Sequence, residues 1–281
     1  MTPYYEDDRA TIYHGDCAEV IASLPDESVD CVVTSPPYAE QRATTYGGIP
    51  EADYPQWTAL WMEPLKRVLK PRGSVIINIR PHVHKGKISD YTLNTRLLLR
   101  TCGWAEIEEL IWFKPGSPPM GRVDRPRRSW ESLHWFGLSG DVWCDPKANG
   151  TQSERVGMEK SGRAYRHGWA HLSGASETLK KGVARSIDVA TVPFDTAPDS
   201  PDTSHPAVYP YKLPAWCIRL VCPPGGTVLD PFSGSGTTGV AAVKEGRSYL
   251  GIDVAEEYAA MSARRVAKEP DTLDIFGGDA A

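Results

Sequence analysis

The segment Asp230-Pro231-Phe232-Ser233-Gly234-Ser235-Gly236-Thr237-Thr238-Gly239 constrains this chain most, through its residues and through its place. It lies between an apolar run at residues 227–229 and a helical run at 237–245. Small residues let the backbone approach a ligand, and the amides of a helix N-terminus face it. Gly234, Gly236 and Gly239 satisfy G-x-G-x-x-G, and Asp253 ends the next apolar run at 248–252. A carboxylate there can accept both hydroxyls of a ribose, so the unit suits a nucleoside cofactor. In a dinucleotide enzyme this unit opens a six-stranded domain. Here only about forty residues follow Gly239, so the remaining strands must come from the N-terminal part of the chain.

That part supplies them. Residues 10–13 and 29–33 read as strands, with a helical stretch at 18–24 between them. The run at 29–33 stops at Thr34-Ser35-Pro36-Pro37-Tyr38, where two prolines remove two backbone donors and force a rigid loop. Residues 54–69 are expected to be a helix, with Trp57, Leu60, Trp61, Leu65, Val68 and Leu69 at helical spacing, and Pro71-Arg72-Gly73 predicts the stop before a strand at 74–79. A helix at 91–102 and strands at 106–113 and 133–138 follow. Order resumes with a helix at 213–221, and a last helix is expected at 256–268. Such alternation calls for an α/β fold with a mostly parallel sheet flanked by helices. With the glycine unit last and the Pro-Pro loop first, the order is that of a circularly permuted, Rossmann-like methyltransferase sheet, expected to have seven strands.

Residues 139–204 break the pattern, being rich in Gly, Ser, Arg and Lys. They predict an inserted, loop-rich recognition region between halves at 1–138 and 205–281. The net charge of -5 does not exclude a nucleic-acid partner, because binding follows where charge sits. Lys114, Arg122, Arg125, Arg127 and Arg128 crowd into one stretch against Asp124 alone, and Arg163 and Arg166 lie in a second basic stretch. The six cysteines are scattered, and neither they nor the histidines show metal-ligand spacing. No leader-like or membrane-spanning run is present, so a reduced, cytoplasmic protein is expected, without metal or membrane.

The motifs, taken in order, resemble the beta-class, S-adenosylmethionine-dependent DNA amino-methyltransferases. Residues 30–38 (DCVVTSPPY) resemble the family's catalytic motif, and residues 230–236 its cofactor glycine motif. Gly251-Ile252-Asp253 resembles its ribose-binding motif, and Gly15-Asp16-Cys17 its adenine-side contact. His205-Pro206-Ala207-Val208-Tyr209-Pro210, with Lys212-Leu213-Pro214, resembles the segment before the first cofactor strand. The likeness covers roughly residues 12–138 and 205–265.

The resemblance implies S-adenosyl-L-methionine as cofactor and double-stranded DNA as substrate, in a bacterial, archaeal or phage-encoded enzyme. It also implies a paired restriction endonuclease or a solitary marking role. The Ser-Pro-Pro-Tyr form is associated mainly with N4-cytosine and the Asp form with N6-adenine, so Ser35 favours cytosine. Carbon-5 enzymes use a Pro-Cys pair, which does not occur in this chain.

An exocyclic amine has its lone pair delocalised into the base, so it needs orientation more than a strong base. Ser35 Oγ and the Pro36 carbonyl are expected to accept from it, Pro37 to stiffen the loop, and Tyr38 to stack on a flipped base. Asp253 is expected to take the ribose hydroxyls, Asp16 with Cys17 the adenine, and Gly234 and Gly236 the methionine portion. Asp230, Pro231, Phe232, Ser235, Thr237, His205 and Lys212 complete the expected cofactor set. The arginines at 122, 125, 127, 128, 163 and 166 are the expected DNA contacts. N6-adenine methylation, an RNA or protein amine substrate, a catalytically silent DNA-binding protein and a nicotinamide oxidoreductase remain as alternatives.

Overall fold

The computed structural model describes residues 1–40, 48–116, 124, 126–150, 184–193 and 209–269. Strands β1 (Tyr5–Glu6) and β2 (Ala10–His14) lead into α1 (Cys17–Ser23) and β3 (Val29–Thr34). Helices α2 (Tyr54–Met62) and α3 (Leu65–Val68) cross to β4 (Leu69–Ile79), and a small hairpin of β5 (Val83–His84) and β6 (Lys87–Ile88) precedes α4 (Tyr91–Thr101). Then come β7 (Ala105–Phe113), β8 (Trp130–Gly137) and β9 (Val189–Thr191). The last part holds α5 (Lys212–Val221), β10 (Thr227–Asp230), α6 (Thr237–Lys244), β11 (Ser248–Asp253) and α7 (Glu256–Ala267). No helix of the described residues is long and apolar enough to cross a membrane.

Apart from the separate β5–β6 hairpin, the described strands form one sheet in the order β1-β2-β11-β10-β3-β4-β8-β7-β9. From β2 to β4 all neighbours are parallel, β8 is antiparallel to both β4 and β7, and β1 is antiparallel to β2. Among the described residues this sheet has nine strands where seven were expected. The seven are the continuous middle, and the short β1 and β9 extend its two edges. β9 pairs in parallel with β7 and comes from within residues 139–204, so that stretch gives the sheet an edge strand as well as loops.

Two further expectations change in detail. The predicted helix over 54–69 breaks at Pro64, whose missing N–H cannot continue the ladder, giving α2 and α3. Strand β4 starts at Leu69, through Pro71, rather than at Ser74. Its pairing with β3 shifts between Val29 and Cys31, which accommodates the proline at an irregularity.

Successive side chains on the central strands enter opposite apolar layers, as strand geometry requires. Cys31, Ile76 and Val228 face Trp216 and Ile218 of α5 and Ala242 of α6. Val32, Val75 and Leu229 face Ile21 of α1, Trp61 of α2 and Leu65 of α3. Each fully buried aliphatic side chain contributes roughly 1.5–3 kcal/mol. The two-sided pattern therefore defines the sheet more than any one residue does.

The crossovers run outward in both directions from the β10/β3 pair, by α6 to β11 and by α2 and α3 to β4. A crevice opens beyond the strand carboxyl ends at such a switch point. Two buried carboxylates pin the pair. Near the amino ends, Asp30 accepts from the Thr227 amide at 2.8 Å and from Lys70 Nζ at 2.8 Å. At the carboxyl ends, Asp230 accepts from Thr34 Oγ1 at 2.6 Å. The loops at 35–38 and 231–236 thus leave the sheet side by side.

Candidate active site

A cavity of about 240 Å³ opens where these loops meet. Its wall takes Gly15, Asp16 and Cys17 from the β2–α1 turn, Pro37 from the proline loop and Trp57 from α2. Pro231 and Phe232 of the glycine loop, with Asp253 and Val254 after β11, complete it. Phe232 packs against Trp57 and Trp61, with ring centroids 5.4 and 5.3 Å apart. The lining thus combines aromatic and polar side chains.

Asp253 is buried, 2% exposed. Its Oδ2 accepts from the Gly234 amide at 2.8 Å and its Oδ1 from the Ala255 amide at 2.9 Å, so it shapes the loop while lining the cavity. A carboxylate oxygen carries two lone pairs, the acceptor chemistry that a diol requires. Asp16 is the N-cap of α1, accepting from the Ala18 and Glu19 amides. Burial, then the Asp16 charge, push the Cys17 thiol up to about 12, which keeps it protonated and unreactive.

The rest of the glycine loop is held from behind. Arg265 donates to the Ser235 carbonyl at 2.7 Å, to Ser235 Oγ at 2.9 Å and to Thr237 Oγ1 at 3.2 Å. Gly236 has φ +78°, and a Cβ there would sit 2.7 Å from Ser262 Cα. Asp230 also accepts from Thr238 Oγ1 at 2.6 Å and the Phe232 amide at 3.1 Å. Burial pushes its carboxyl up to about 6, with the Thr238 and Thr34 hydroxyl bonds opposing. Asp230, Gly234, Ser235, Gly236 and Thr237 therefore build and brace the loop, whereas Pro231, Phe232 and Asp253 form the described cavity wall. Lys212 is exposed at the start of α5, and His205 lies outside the described residues.

In the proline loop, Pro36 and Pro37 are buried, and Ser35 and Tyr38 half-buried. Tyr38 donates its hydroxyl to Glu131 Oε2 on β8 at 2.9 Å, with Asn78 Oδ1 of β4 at 3.4 Å. Glu131 is 7% exposed and pairs through Oε1 with Lys114 Nζ at 2.5 Å and Arg80 at 3.4 Å. Burial, and then the Glu131 charge, raise the Tyr38 hydroxyl well above its ordinary value. Burial lowers Lys114, and Glu131 opposes that shift.

Residues 29–264 match the N6_N4_Mtase family, described as DNA methylase. The chain belongs to this DNA methylase family. The type II methyltransferase M.PvuII of Proteus hauseri is 30% identical over 292 residues, spanning 94% of this chain and 85% of that protein. Among solved structures, the PvuII DNA methyltransferase (cytosine-N4-specific) aligns with a TM-score of 0.72 at 24% identity, covering 97% of this chain and 92% of that one. A Thermus thermophilus protein described as a DNA modification methylase, complexed with S-adenosyl-L-methionine, aligns at 0.58 with 22% identity, over 93% and 97% of the two chains.

In this methylase the expected basic surface is only partly in view. Arg127 is exposed, and Arg128 donates to the Pro81 carbonyl at 2.7 Å, beside Arg80. Arg122, Arg125, Arg163 and Arg166 lie outside the described residues. Sequence reasoning missed Trp57, Arg80, Asn78 and Glu131 as parts of the site. Glu131 carried a readable signal, being an acid that closely follows an arginine-rich run near the start of an apolar strand. Trp57 carried none, because an apolar helix position reads the same whether it faces a core or a ligand.

Proposed function

We propose that this methylase transfers the methyl group of S-adenosyl-L-methionine to the exocyclic N4 amine of cytosine in duplex DNA, directly and in line, on a flipped base. One observation carries the reading: Pro37 of the Ser-Pro-Pro-Tyr loop lines the same cavity as Asp253 and Phe232. A nucleoside cofactor suits that cavity, which offers an aromatic wall, a buried carboxylate for a diol and the exposed Asp16 at its rim. When bound, the cofactor supplies an electrophilic sulfonium methyl. Similarity to the methyltransferase M.PvuII supports the activity, and similarity to the Thermus protein complexed with S-adenosyl-L-methionine supports the cofactor.

Asp253 would take the ribose hydroxyls, Phe232 and Trp57 would flank the adenosine, and Gly15–Cys17 would border it. Ser35 Oγ and the Pro36 carbonyl would accept from the cytosine amine and aim its lone pair, with the prolines fixing the carbonyl's direction. Tyr38 would stack on the flipped base, a contact worth roughly 1–3 kcal/mol. No covalent base–enzyme bond would be required: the amine nitrogen would take the methyl group as the carbon–sulfur bond of the sulfonium breaks, and would then give up one proton.

Residues 139–204 would read the target, and Arg122, Arg125, Arg127, Arg128, Arg163 and Arg166 would contact DNA phosphates or base edges. A cytoplasmic setting with a partner restriction endonuclease completes the reading. The test is nucleoside mass spectrometry of duplex DNA treated with isotope-labelled S-adenosyl-L-methionine. Labelled N4-methylcytosine is expected; labelled N6-methyladenine would overturn the base assignment, and no labelled base would overturn the activity.

A further inference from the structure

A buried charge beside a reaction loop needs an explanation, because desolvating a carboxylate is costly unless it is paired. Glu131 is the second residue of β8, at the end nearest the proline loop, and its two oxygens have different partners. Oε1 pairs with Lys114 and Arg80, which compensates the charge. Oε2 accepts the Tyr38 hydroxyl at 2.9 Å. Asn78 stands at 3.4 Å from the same hydroxyl and is itself fixed by donating to the Ser132 carbonyl at 3.1 Å. Lys114 also lies 3.9 Å from the Trp112 ring centroid, which holds the ammonium in place. Tyr38 is thereby tied by its hydroxyl to two strands that carry none of the cofactor cavity wall.

We propose that Glu131 is a positioning residue for methyl transfer, acting through Tyr38. The inference rests on the function proposed above, in which the Tyr38 ring meets the target base. A tyrosine free at its hydroxyl can turn about its side-chain bonds and lose the stacked geometry. The bond to Glu131 fixes the ring before the base arrives, so the ordering entropy is not lost at binding. The Lys114 and Arg80 pairs keep Glu131 aimed.

The experiment compares the full-length wild type with Glu131→Gln, Tyr38→Phe and the double variant. It measures kcat, the KM for S-adenosyl-L-methionine and for duplex DNA, and thermal midpoints. Glu131→Gln should lower kcat by about 10- to 100-fold, the scale of a misplaced reacting group. Both KM values should stay within about twofold, the signature of an effect on the reacting geometry. In the Tyr38→Phe background the same substitution should change kcat by less than about twofold, since its route of action is already gone.

Wild-type kcat in Glu131→Gln, or an equal loss in both backgrounds, would overturn the positioning role. If Glu131→Gln fails to fold, Tyr38→Phe decides alone. It leaves the ion pairs intact, so a kcat loss supports the role and wild-type kcat overturns it. A wild type that labels no base at all overturns this inference together with the function on which it rests.

Discussion

Thr34 donates a 2.6 Å hydrogen bond to Asp230 across neighbouring parallel strands, tying the residue before the Ser-Pro-Pro-Tyr loop to the residue that opens the glycine loop. The register pairs Val228 with Cys31 and Leu229 with Val32, so the bond sits where both strands end. Thr34→Val should lose about 1 kcal/mol, the net worth of one hydrogen bond. Asp230→Ala should lose roughly 3 kcal/mol or more, because the Thr34 and Thr238 hydroxyls and the Phe232 amide all lose their acceptor. Denaturant unfolding checks both, and an Asp230→Ala loss no larger than that of Thr34→Val would refute the shared-acceptor account.

Asp253 has both oxygens committed to backbone amides, which makes its amide variant informative. Asp253→Asn keeps one acceptor but turns an NH₂ donor toward the Gly234 or Ala255 N–H. Cofactor affinity should fall by about 10-fold or more, equivalent to about 1.4 kcal/mol. Calorimetric titration with S-adenosyl-L-methionine measures it; unchanged affinity would remove Asp253 from the cofactor site.

Gly236→Ala should destabilise by roughly 1–3 kcal/mol, since it combines a left-handed backbone with a clash against a helix. The added methyl would meet Ser262 Cα at 2.7 Å, which α7 cannot yield without moving. Ser262→Gly, added to it, should not restore the wild-type melting temperature, because neither the φ of +78° nor the approach to the α7 backbone changes. Full recovery would show that only the serine hydroxymethyl was at issue.

Two buried groups pull the acid stability profile in opposite directions. Burial, with Arg96 adding, lowers His134 to about 4, and neither ring nitrogen finds a partner among the described residues. An unfolded histidine takes its proton near 6.5. The unfolded chain therefore binds a proton that the fold refuses, and stability falls from about pH 6.5 toward 4. Asp230, raised to about 6, behaves conversely, since the fold takes its proton first and gains stability as pH falls below 6. His134→Leu should leave the second effect alone. Between about pH 7.5 and pH 4 its stability should rise relative to wild type by roughly 3 kcal/mol. Unfolding curves at several pH values that run parallel for the two proteins would refute this.

Trp57→Ala should weaken S-adenosyl-L-methionine binding by about 10-fold while leaving the fold intact, because the ring is half-buried and caps Phe232 at the cavity. Equal affinity would assign the ring to packing alone.

Local residues set a large part of this molecule. The apolar runs at 29–33, 74–79 and 248–252 allow only buried strands, Pro36-Pro37 allows only a loop after the first of them, and the glycines after Asp230 allow only a tight turn into a helix. From these the permuted α/β order could be read, with Asp253, Pro37 and Phe232 beside the site. The two extra edge strands could not, because Tyr5–Glu6 and Val189–Thr191 are too short to carry a period of their own. Nor could the duties of Ser235, Gly236 and Thr237, whose partners Arg265 and Ser262 lie some thirty residues away. The placement of Glu131 against Tyr38 was decided by pairing between β4 and β8, which brings together side chains 93 positions apart. Sequence determined which segments could be strand, loop or helix, since backbone sterics and hydrophobic period act locally. Tertiary structure alone decided which polar groups became partners, since a hydrogen bond depends on distances that only the folded sheet defines.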